Sequence, residues 1–469
     1  MKKIRVGVLG CSNFLRKRMI DAFSKSGYVE VVCLASRDLE KAKRWAEEFK
    51  IESYDTYEGV LKRKDIDAIY IALPVGLHNE WAVKAANAGK HVLCEKSLAR
   101  SLVEVKEIID SCRANKVKLT ENIAIRYHPQ HSKVLSIINN GDLGKLFSFK
   151  SSFGIPSPDD DDIRYKKKLG GGILNDIACY IVFISRFLFK QEPISVFCSL
   201  NMDKNKFIDT SGSFLLEFPE NKKASGDFGY GEFYQNNYSV WGDKGLIKIN
   251  NRAYSISEDT TPDIDFISDS ENKKIESQTA NQFVKTIDVF CLDILEDRDT
   301  DFDEILNQAK TMEALRISAE FGKKIIVEDI EKEKLKKVVL TSGFFDPLHA
   351  GHIELFKLSK ELGDKLVVVV NNDEQVFLKR GKKPFMNQEQ RKEVIQSIKY
   401  VDEVLISIDT KDTTLFETLR LLKPDIFAKG GDRFAYEIPE RDLCKELGIR
   451  IVDGLGEKKN SSRNYYNFN

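Results

Sequence analysis

The sequence predicts an α/β fold: two regions in which strand and helix alternate, with a β-rich region between them. Three observations carry this. From residue 4 to about 122, short apolar runs alternate with segments of helical period. From about Phe147 to Val327 the pattern is β-rich. From Val338 the alternation begins again. At 469 residues the chain is too long for one ordinary core, so two or three domains are expected.

The elements follow in order. Residues 4–9 read as a buried parallel strand, 10–14 as a tight turn and 16–24 as a helix. A strand at 29–35, a helix at 39–49 and a strand at 68–73 come next. Residues 80–88 read as a helix closed by Gly89, and 91–94 as a strand. Ser101 and Glu104 have the spacing of a capping box. In the middle region, 146–153, 214–218, 238–241 and 246–249 read as strands and 174–188 as a helix. A short charged run places a linker at 329–336. Beyond it, 338–340, 365–370, 401–406, 426–428 and 449–452 read as strands, and 388–398, 414–422 and 439–447 as helices.

Hydrophobic content of 42% and charged content of 31% describe a globular chain. Seventy-three basic residues balance 73 acidic ones, so no basic stripe points to nucleic acid. The eight cysteines show no CxxC spacing, which indicates neither a zinc site nor a disulfide framework. No signal-peptide pattern and no apolar run near the ~18 residues of a membrane span is read, so the expected location is the cytoplasm. The run 159–162 of four aspartates reads as a solvated loop, and no metal site is expected.

The densest chemistry lies at Thr341-Ser-Gly-Phe-Phe-Asp-Pro-Leu-His-Ala-Gly-His352. It follows a strand and opens a helix with apolar Ile353, Leu355, Phe356 and Leu358. A helix N-terminus favours phosphate, and His349 and His352 on its first turn add donors as charge grows there. In the first region, Lys96 stands at the carboxyl end of a parallel strand, where such sheets place their sites. The second strand ends at Ser36-Arg37 rather than at an acid. Serine and arginine suit a 2′-phosphate, so NADP(H) is favoured over NAD(H).

Two resemblances follow from these stretches. Residues 68–74 with His78, 89–96, 121–131 and 170–180 resemble the Gfo/Idh/MocA family of NAD(P)-dependent oxidoreductases. The family's usual Glu-Lys-Pro is Glu95-Lys96-Ser97 here, and only Gly10 matches the first glycine of G-x-G-x-x-G. The resemblance implies a Rossmann domain at 1–122 and an α+β open-sheet domain at 123–328, whose exposed sheet makes a homo-oligomer (dimer or higher). It implies Lys96 and Tyr180 as the polar catalytic pair, with Asp176 orienting the substrate or Lys96. Gly10, Ser12, Asn13, Phe14, Ser36, Arg37, Leu73, Pro74, His78 and Glu95 would hold the cofactor. His131 and Arg126 are further pocket candidates, and His128 is read as structural.

Residues 338–463 resemble the HxGH nucleotidylyltransferases, in particular the glycerol-3-phosphate cytidylyltransferase-like group. The resemblance implies a second Rossmann-like domain at 337–469. It implies transfer of a nucleoside monophosphate from CTP, preferred over ATP, to a phosphorylated small molecule, with Mg²⁺ at the phosphates. Thr341, Gly343, Phe344 and Phe345 would line the nucleotide, His349 and His352 steady its phosphates, and Lys382 and Arg391 hold the triphosphate or the acceptor. Gly431, Asp432, Ser461 and Ser462 complete that set.

Together these imply a bifunctional enzyme. One half reduces a ketose or keto-polyol derivative; the other makes a CDP-polyol of glycerol or ribitol type for surface polysaccharide. One alternative is a nucleotide-sugar ketoreductase fused to an independent sugar-phosphate nucleotidylyltransferase. Another is a transferase with a non-catalytic NADP-binding scaffold.

Overall fold

The computed structural model describes residues 2–203, 205–206, 208–256, 258–330, 337–430 and 438–456. The chain forms two compact units, Met1–Ile330 and Glu331–Asn469.

The first unit opens with six parallel strands: β1 (Ile4–Leu9), β2 (Val29–Ala35), β3 (Ser53–Asp55), β4 (Ala68–Ile71), β5 (His91–Glu95) and β6 (Leu119–Asn122). Their order is 3-2-1-4-5-6. Strand β4 is buried throughout, as its unbroken apolar run requires, and β1 is buried except at Arg5. Leu9, Ile69 and Ile71 pack into a core with Trp81 and Ile108, and Val8 and Tyr70 into one with Leu15 and Phe290. Strand order reverses between β1 and β4, which opens a crevice at the carboxyl ends of the strands. The sequence reading passed over β3 and the helix Tyr57–Lys62 because both are short. The helix after β1 begins as a π turn at Leu15–Met19 and continues over Ile20–Lys25. Ser101 caps the helix Leu102–Ala114 by accepting from the Glu104 backbone N–H.

The same unit carries a nine-stranded mixed sheet. Its strands are β7 (Leu146–Ile155), β8 (Ser195–Asp203), β9 (Ile208–Glu217), β10 (Lys223–Tyr230), β11 (Gln235–Gly242), β12 (Gly245–Ile249), β13 (Asp263–Ser268), β14 (Asn272–Glu276) and β15 (Ile325–Ile326). The order is 14-13-12-11-7-10-9-8-15, open at both edges. One face buries Phe149, Phe214, Val240 and Ile247 against Ile181, Ile184 and Leu315 of two helices, Cys179–Phe189 and Phe302–Phe321. The other face leaves Phe147 and Trp241 each half exposed and in edge-to-face contact. The stretch Lys167–Phe189 is long and apolar enough to cross a membrane by length and composition, which the sequence reading did not find; its most apolar window is 78% buried in the core.

The second unit has five parallel strands: β16 (Val338–Gly343), β17 (Lys365–Val370), β18 (Glu403–Ile406), β19 (Ile426–Gly430) and β20 (Arg450–Leu455), in the order 18-17-16-19-20. Apolar clusters cover both faces, one around Phe356 and Val368, the other around Leu340 and Phe427. Helices lie at Ala350–Lys360, Gln388–Gln396, Phe416–Leu422 and Arg441–Leu447. A further helix lies at Asp373–Arg380; Asn372 and Gln375 cap it reciprocally, and Gly381 closes it. The fold class is the one the sequence predicts: α/β, with Rossmann-type sheets in both units and an open mixed sheet in the first.

Candidate active sites

In the first unit the side chains gather where β5 ends. Lys96 follows β5, and its Nζ lies 2.9 Å from Asp176 Oδ1. It also donates to the Asp176 backbone carbonyl. Asp176 sits on the π turn Leu174–Ala178 that leads into the helix Cys179–Phe189. That helix brings the Tyr180 ring to 4.8 Å from Nζ. Asp176 Oδ2 accepts from Arg164 Nε at 2.9 Å and from Tyr230 Oη at 3.2 Å. Burial alone would raise the Asp176 carboxyl, but the Lys96 and Arg164 cations override it and bring it to about 2. Burial would lower Lys96, but Asp176 holds it well above its ordinary value. Burial pushes the Tyr180 phenol up, with Lys96 opposing. The result is an ammonium and a neutral phenol side by side, both able to donate to a developing alkoxide.

Lys96 is not ion-paired with its neighbour Glu95. Glu95 takes Tyr70 Oη and Asn122 Nδ2, each at 2.6 Å, on its own Oε1. The Lys96–Ser97 peptide is cis. Ser97 Oγ donates to the Asn175 carbonyl at 3.0 Å, and Leu98 N donates to Glu121 Oε1 at 2.8 Å.

The turn after β1 is shaped for a dinucleotide. Gly10 has φ +106°, and a Cβ there would lie 2.8 Å from the Ala72 carbonyl oxygen and 2.8 Å from Leu73 Cδ2. Only glycine lets this turn pack so closely against the end of β4. Ser12 Oγ accepts from Leu15 N, which shapes the turn, and Asn13 and Phe14 are exposed beside it. Ser36 is buried at the end of β2, with its Oγ accepting from Asp38 N, and Arg37 is exposed next to it. Leu73 and Pro74 are half-buried in the loop that follows β4. These residues fit an NADP cofactor: a glycine cradle and an arginine where an acid would disfavour a 2′-phosphate.

Several sequence expectations are corrected. His78 is fully buried, with Nδ1 at 2.9 Å from Ser97 O and Nε2 at 2.7 Å from Leu73 O, so it ties the loops after β4 and β5 together and is not exposed to a ligand. His131 is also fully buried, against Tyr238 Oη at 3.0 Å, and burial takes it down to about 3. It is core, not pocket. Arg126 is committed to Glu304 at 3.1 Å. His128 caps the helix Pro129–Asn139, the structural role expected of it. Arg164 and Tyr230 were missed. They reach Asp176 from 12 and 54 residues away, and no local spacing marks them.

In the second unit, His349 is the N-cap of the helix Ala350–Lys360, and His352 lies on its first turn. The imidazoles stack with centroids 3.7 Å apart and planes at 19°. His352 Nδ1 accepts from the His349 backbone N–H at 3.3 Å. The Phe345 ring is buried edge-on to His352 at 4.9 Å, so Phe345 offers only its backbone to a ligand. Gly343 ends β16, and the Phe344 ring lies 4.4 Å from Lys379 Nζ. Burial lowers His349, which keeps a neutral imidazole available near neutral pH.

Two expected ligands here are structural. Thr341 is fully buried and donates to the Ala428 carbonyl at 3.0 Å, tying β16 to β19. Arg391 is fully buried: its Nη1 donates to Phe344 O and Asn371 O at 2.7 and 2.8 Å, Nε to Met386 O at 3.0 Å, and Nη2 to Asp373 at 2.6 Å. It fastens the Gly343–Phe345 loop from below, with four of its five N–H donors already engaged. Lys382 is exposed. The missed residue is Asp346, fully buried, which accepts from Phe385 N and Met386 N and pairs with Arg380 at 3.0 Å. Gly431, Asp432, Ser461 and Ser462 lie outside the described residues. Among the described residues no group of three or more His, Cys, Asp or Glu is placed to hold a metal ion.

Three family models match the chain: the oxidoreductase family's NAD-binding Rossmann fold over residues 4–123, the GFO/IDH/MocA C-terminal domain over 131–248, and a cytidylyltransferase-like domain over 340–451. The dTDP-3,4-didehydro-2,6-dideoxy-alpha-D-glucose 3-reductase of Actinomadura kijaniata is 32% identical over 318 residues, covering 67% of this chain and 96% of that protein. The enzyme of the same name from Saccharopolyspora spinosa is 38% identical over 255 residues, covering 54% and 76%. The crystal structure of KijD10, a 3-ketoreductase from A. kijaniata in complex with NADP and TDP-benzene, superposes with a TM-score of 0.65 at 31% identity, covering 68% of this chain and 98% of that one.

Proposed function

We propose a function from one premise: the chain belongs to the Gfo/Idh/MocA oxidoreductase family through its first unit and carries a cytidylyltransferase-like domain in its second. It is a bifunctional enzyme that reduces a ketose or keto-polyol derivative with NADPH and transfers a cytidylyl group from CTP to a polyol phosphate. The product is a CDP-polyol of the glycerol or ribitol type, a precursor for surface polysaccharide. The observation that carries this reading is one chain holding both constellations: Lys96, Asp176 and Tyr180 at the end of β5, and the stacked His349 and His352 at a helix N-terminus.

NADPH, when bound, supplies the hydride. Gly10, Ser12, Asn13 and Phe14 form the turn that would hold it, with Ser36 and Arg37 at its 2′-phosphate and Leu73, Pro74 and Glu95 along the crevice. Lys96 and Tyr180 hold the substrate carbonyl oxygen and pass it a proton, while Asp176 keeps the Lys96 ammonium in place. In the second unit an oxygen of the acceptor phosphate attacks the α-phosphorus of CTP in line. The bond to the bridging oxygen breaks and pyrophosphate leaves. His349 and His352 donate to the phosphate oxygens as charge shifts. Lys382 reaches the triphosphate, and Mg²⁺, when present, would be held mainly by substrate oxygens and water and would offset the charge of the phosphates. Gly431, Asp432, Ser461 and Ser462 belong to the same proposal. The oxidoreductase part divides at 122/123 and ends at 328, the linker runs over 329–336, and the transferase occupies 337–469. A homo-oligomer forms through the exposed sheet face that carries Phe147 and Trp241, and the location is cytoplasmic.

One reaction mixture tests this. Protein, NADPH, CTP and Mg²⁺ are incubated with a panel of keto-sugars and ketose phosphates, with ATP replacing CTP in parallel. A CDP-alditol mass that depends on NADPH supports consecutive reduction and transfer. A second reading is favoured by the two dTDP-sugar 3-reductases among the relatives. In it the first half reduces a nucleotide-linked keto-sugar and the second activates an unrelated sugar phosphate. NADPH consumption without a CDP product would support it.

A further inference from the structure

Lys96 is a flexible chain with four rotatable bonds, so its salt bridge alone does not fix where its root stands. The root lies at a seam between two segments, residues 96–101 after β5 and residues 172–180 around Asp176. Two hydrogen-bonded rungs cross this seam at consecutive residues. Lys96 Nζ meets Asp176 Oδ1 at 2.9 Å, and Ser97 Oγ donates to Asn175 O at 3.0 Å. Each end of the second rung is pinned again. Ser97 O lies 2.9 Å from His78 Nδ1, and the next residue, Leu98, donates to Glu121. Asn175 Oδ1 accepts from Arg316 Nη2 at 2.6 Å. Arg316 pairs with Glu313 at 3.1 Å, and Glu313 accepts from Leu102 N at 3.0 Å. The bonds therefore close a ring that returns to the Ser97 side. Beside the seam lies a cavity of about 20 Å³, lined by Ser97, Leu98, Glu121, Gln308 and Arg316 among others. That is room for about one water, so packing is incomplete here and polar bonds must set the register.

We infer that Ser97 is a positioning residue: its hydroxyl, bonded to the Asn175 carbonyl, registers the root of Lys96 against Asp176. The inference rests on reading Lys96 and Asp176 as site residues of the reductase. Removing the hydroxyl lets the two segments part and loosens the Lys96–Asp176 pair. Nothing in this requires the substrate to be known.

The test reads Lys96 directly in the full-length protein. Trinitrobenzenesulfonate labels free amines, and peptide mass spectrometry follows each lysine. Lys90 is the internal control: it is 8% exposed in the same unit, and its Nζ donates to Arg63 O and Ile66 O, both at 2.7 Å. In Ser97→Ala, Lys96 labelling is expected to rise about fivefold, the factor one net hydrogen bond represents, with Lys90 unchanged. Ser97→Thr, which keeps the hydroxyl, restores the wild-type rate. Arg316→Gln keeps Ser97 but unpins Asn175; it shifts Lys96 in the same direction and decides the matter if the alanine variant does not fold. Wild-type Lys96 reactivity in Ser97→Ala overturns the inference. So does a rise of Lys90 in step with Lys96, which means general loosening. Failure of the reductase reading shows separately, as absence of NADPH binding to the wild type by fluorescence titration.

Discussion

Asp176 is held between two cations, with Lys96 Nζ 2.9 Å from its Oδ1 while Arg164 Nε sits 2.9 Å from its Oδ2. A carboxylate shared in this way keeps Lys96 charged without burying an unpaired ion, since each charge has a partner. Tyr180 then stands over an ammonium whose position is set from the far side.

If Lys96 donates to the developing alkoxide, its loss removes stabilisation made only in the transition state. Lys96→Met is expected to lower kcat for NADPH-dependent reduction by the equivalent of about 3–4 kcal/mol while NADPH affinity stays near wild type. Steady-state kinetics with a fluorescence titration of NADPH checks both. Unchanged turnover would move the first unit to the scaffold alternative.

Glu121 gives a pH prediction with a definite sign. Burial, with Glu304 adding to it, raises its carboxyl to about 7, against an ordinary value near 4.5. Between these values the unfolded chain has released the proton and the native state keeps it, so stability falls as pH rises through that window. Glu121→Gln can still accept from Leu98 N but cannot ionise. It should match wild type near pH 4 and be more stable by on the order of 1–3 kcal/mol at pH 8. Unfolding followed by tryptophan fluorescence reports on the right unit, because Trp45, Trp81 and Trp241 all lie in the first one. Equal midpoints at pH 8 would show that Glu121 ionises freely.

What the sequence made legible was periodic or contiguous. The alternation of strand and helix gave both Rossmann-type sheets, and the contiguous runs at 89–96, 170–180 and 341–352 pointed to Lys96, Asp176, Tyr180 and the two histidines. What it hid depends on distance through space. His78, His131, Thr341 and Arg391 sit inside or beside those motifs, but only burial shows that backbone carbonyls and core groups already occupy them. Arg164 and Tyr230 carry no local signal, since they lie 12 and 54 residues from Asp176 and meet it only through the fold.

Gly10→Ala tests the cofactor turn. The new Cβ would meet the Ala72 carbonyl oxygen at 2.8 Å, and φ of +106° is costly for any L-residue. The turn must shift, and the expected result is at least about tenfold weaker NADPH binding, or ~1.4 kcal/mol, with little change in pyrophosphate release from CTP. Wild-type NADPH affinity in this variant would remove the turn from the cofactor site.

Arg391 and Lys382 were expected to share a role, and the structure separates them. Arg391→Ala leaves Phe344 O, Asn371 O and Met386 O without their donor and Asp373 without its partner. Asp373 is more than a third exposed, so most of the cost comes from the stranded carbonyls, about 1–3 kcal/mol for each that stays buried. The effect should appear as loss of amide-exchange protection across β16 and β17, whether or not CTP is present. Lys382→Ala changes an exposed side chain. It should leave protection intact and raise KM for CTP by about tenfold, the scale of one charged hydrogen bond of about 1.5 kcal/mol. If instead Arg391→Ala keeps its protection and only loses CTP affinity, the arginine reaches the triphosphate after all, and the loop it fastens must rearrange when nucleotide binds.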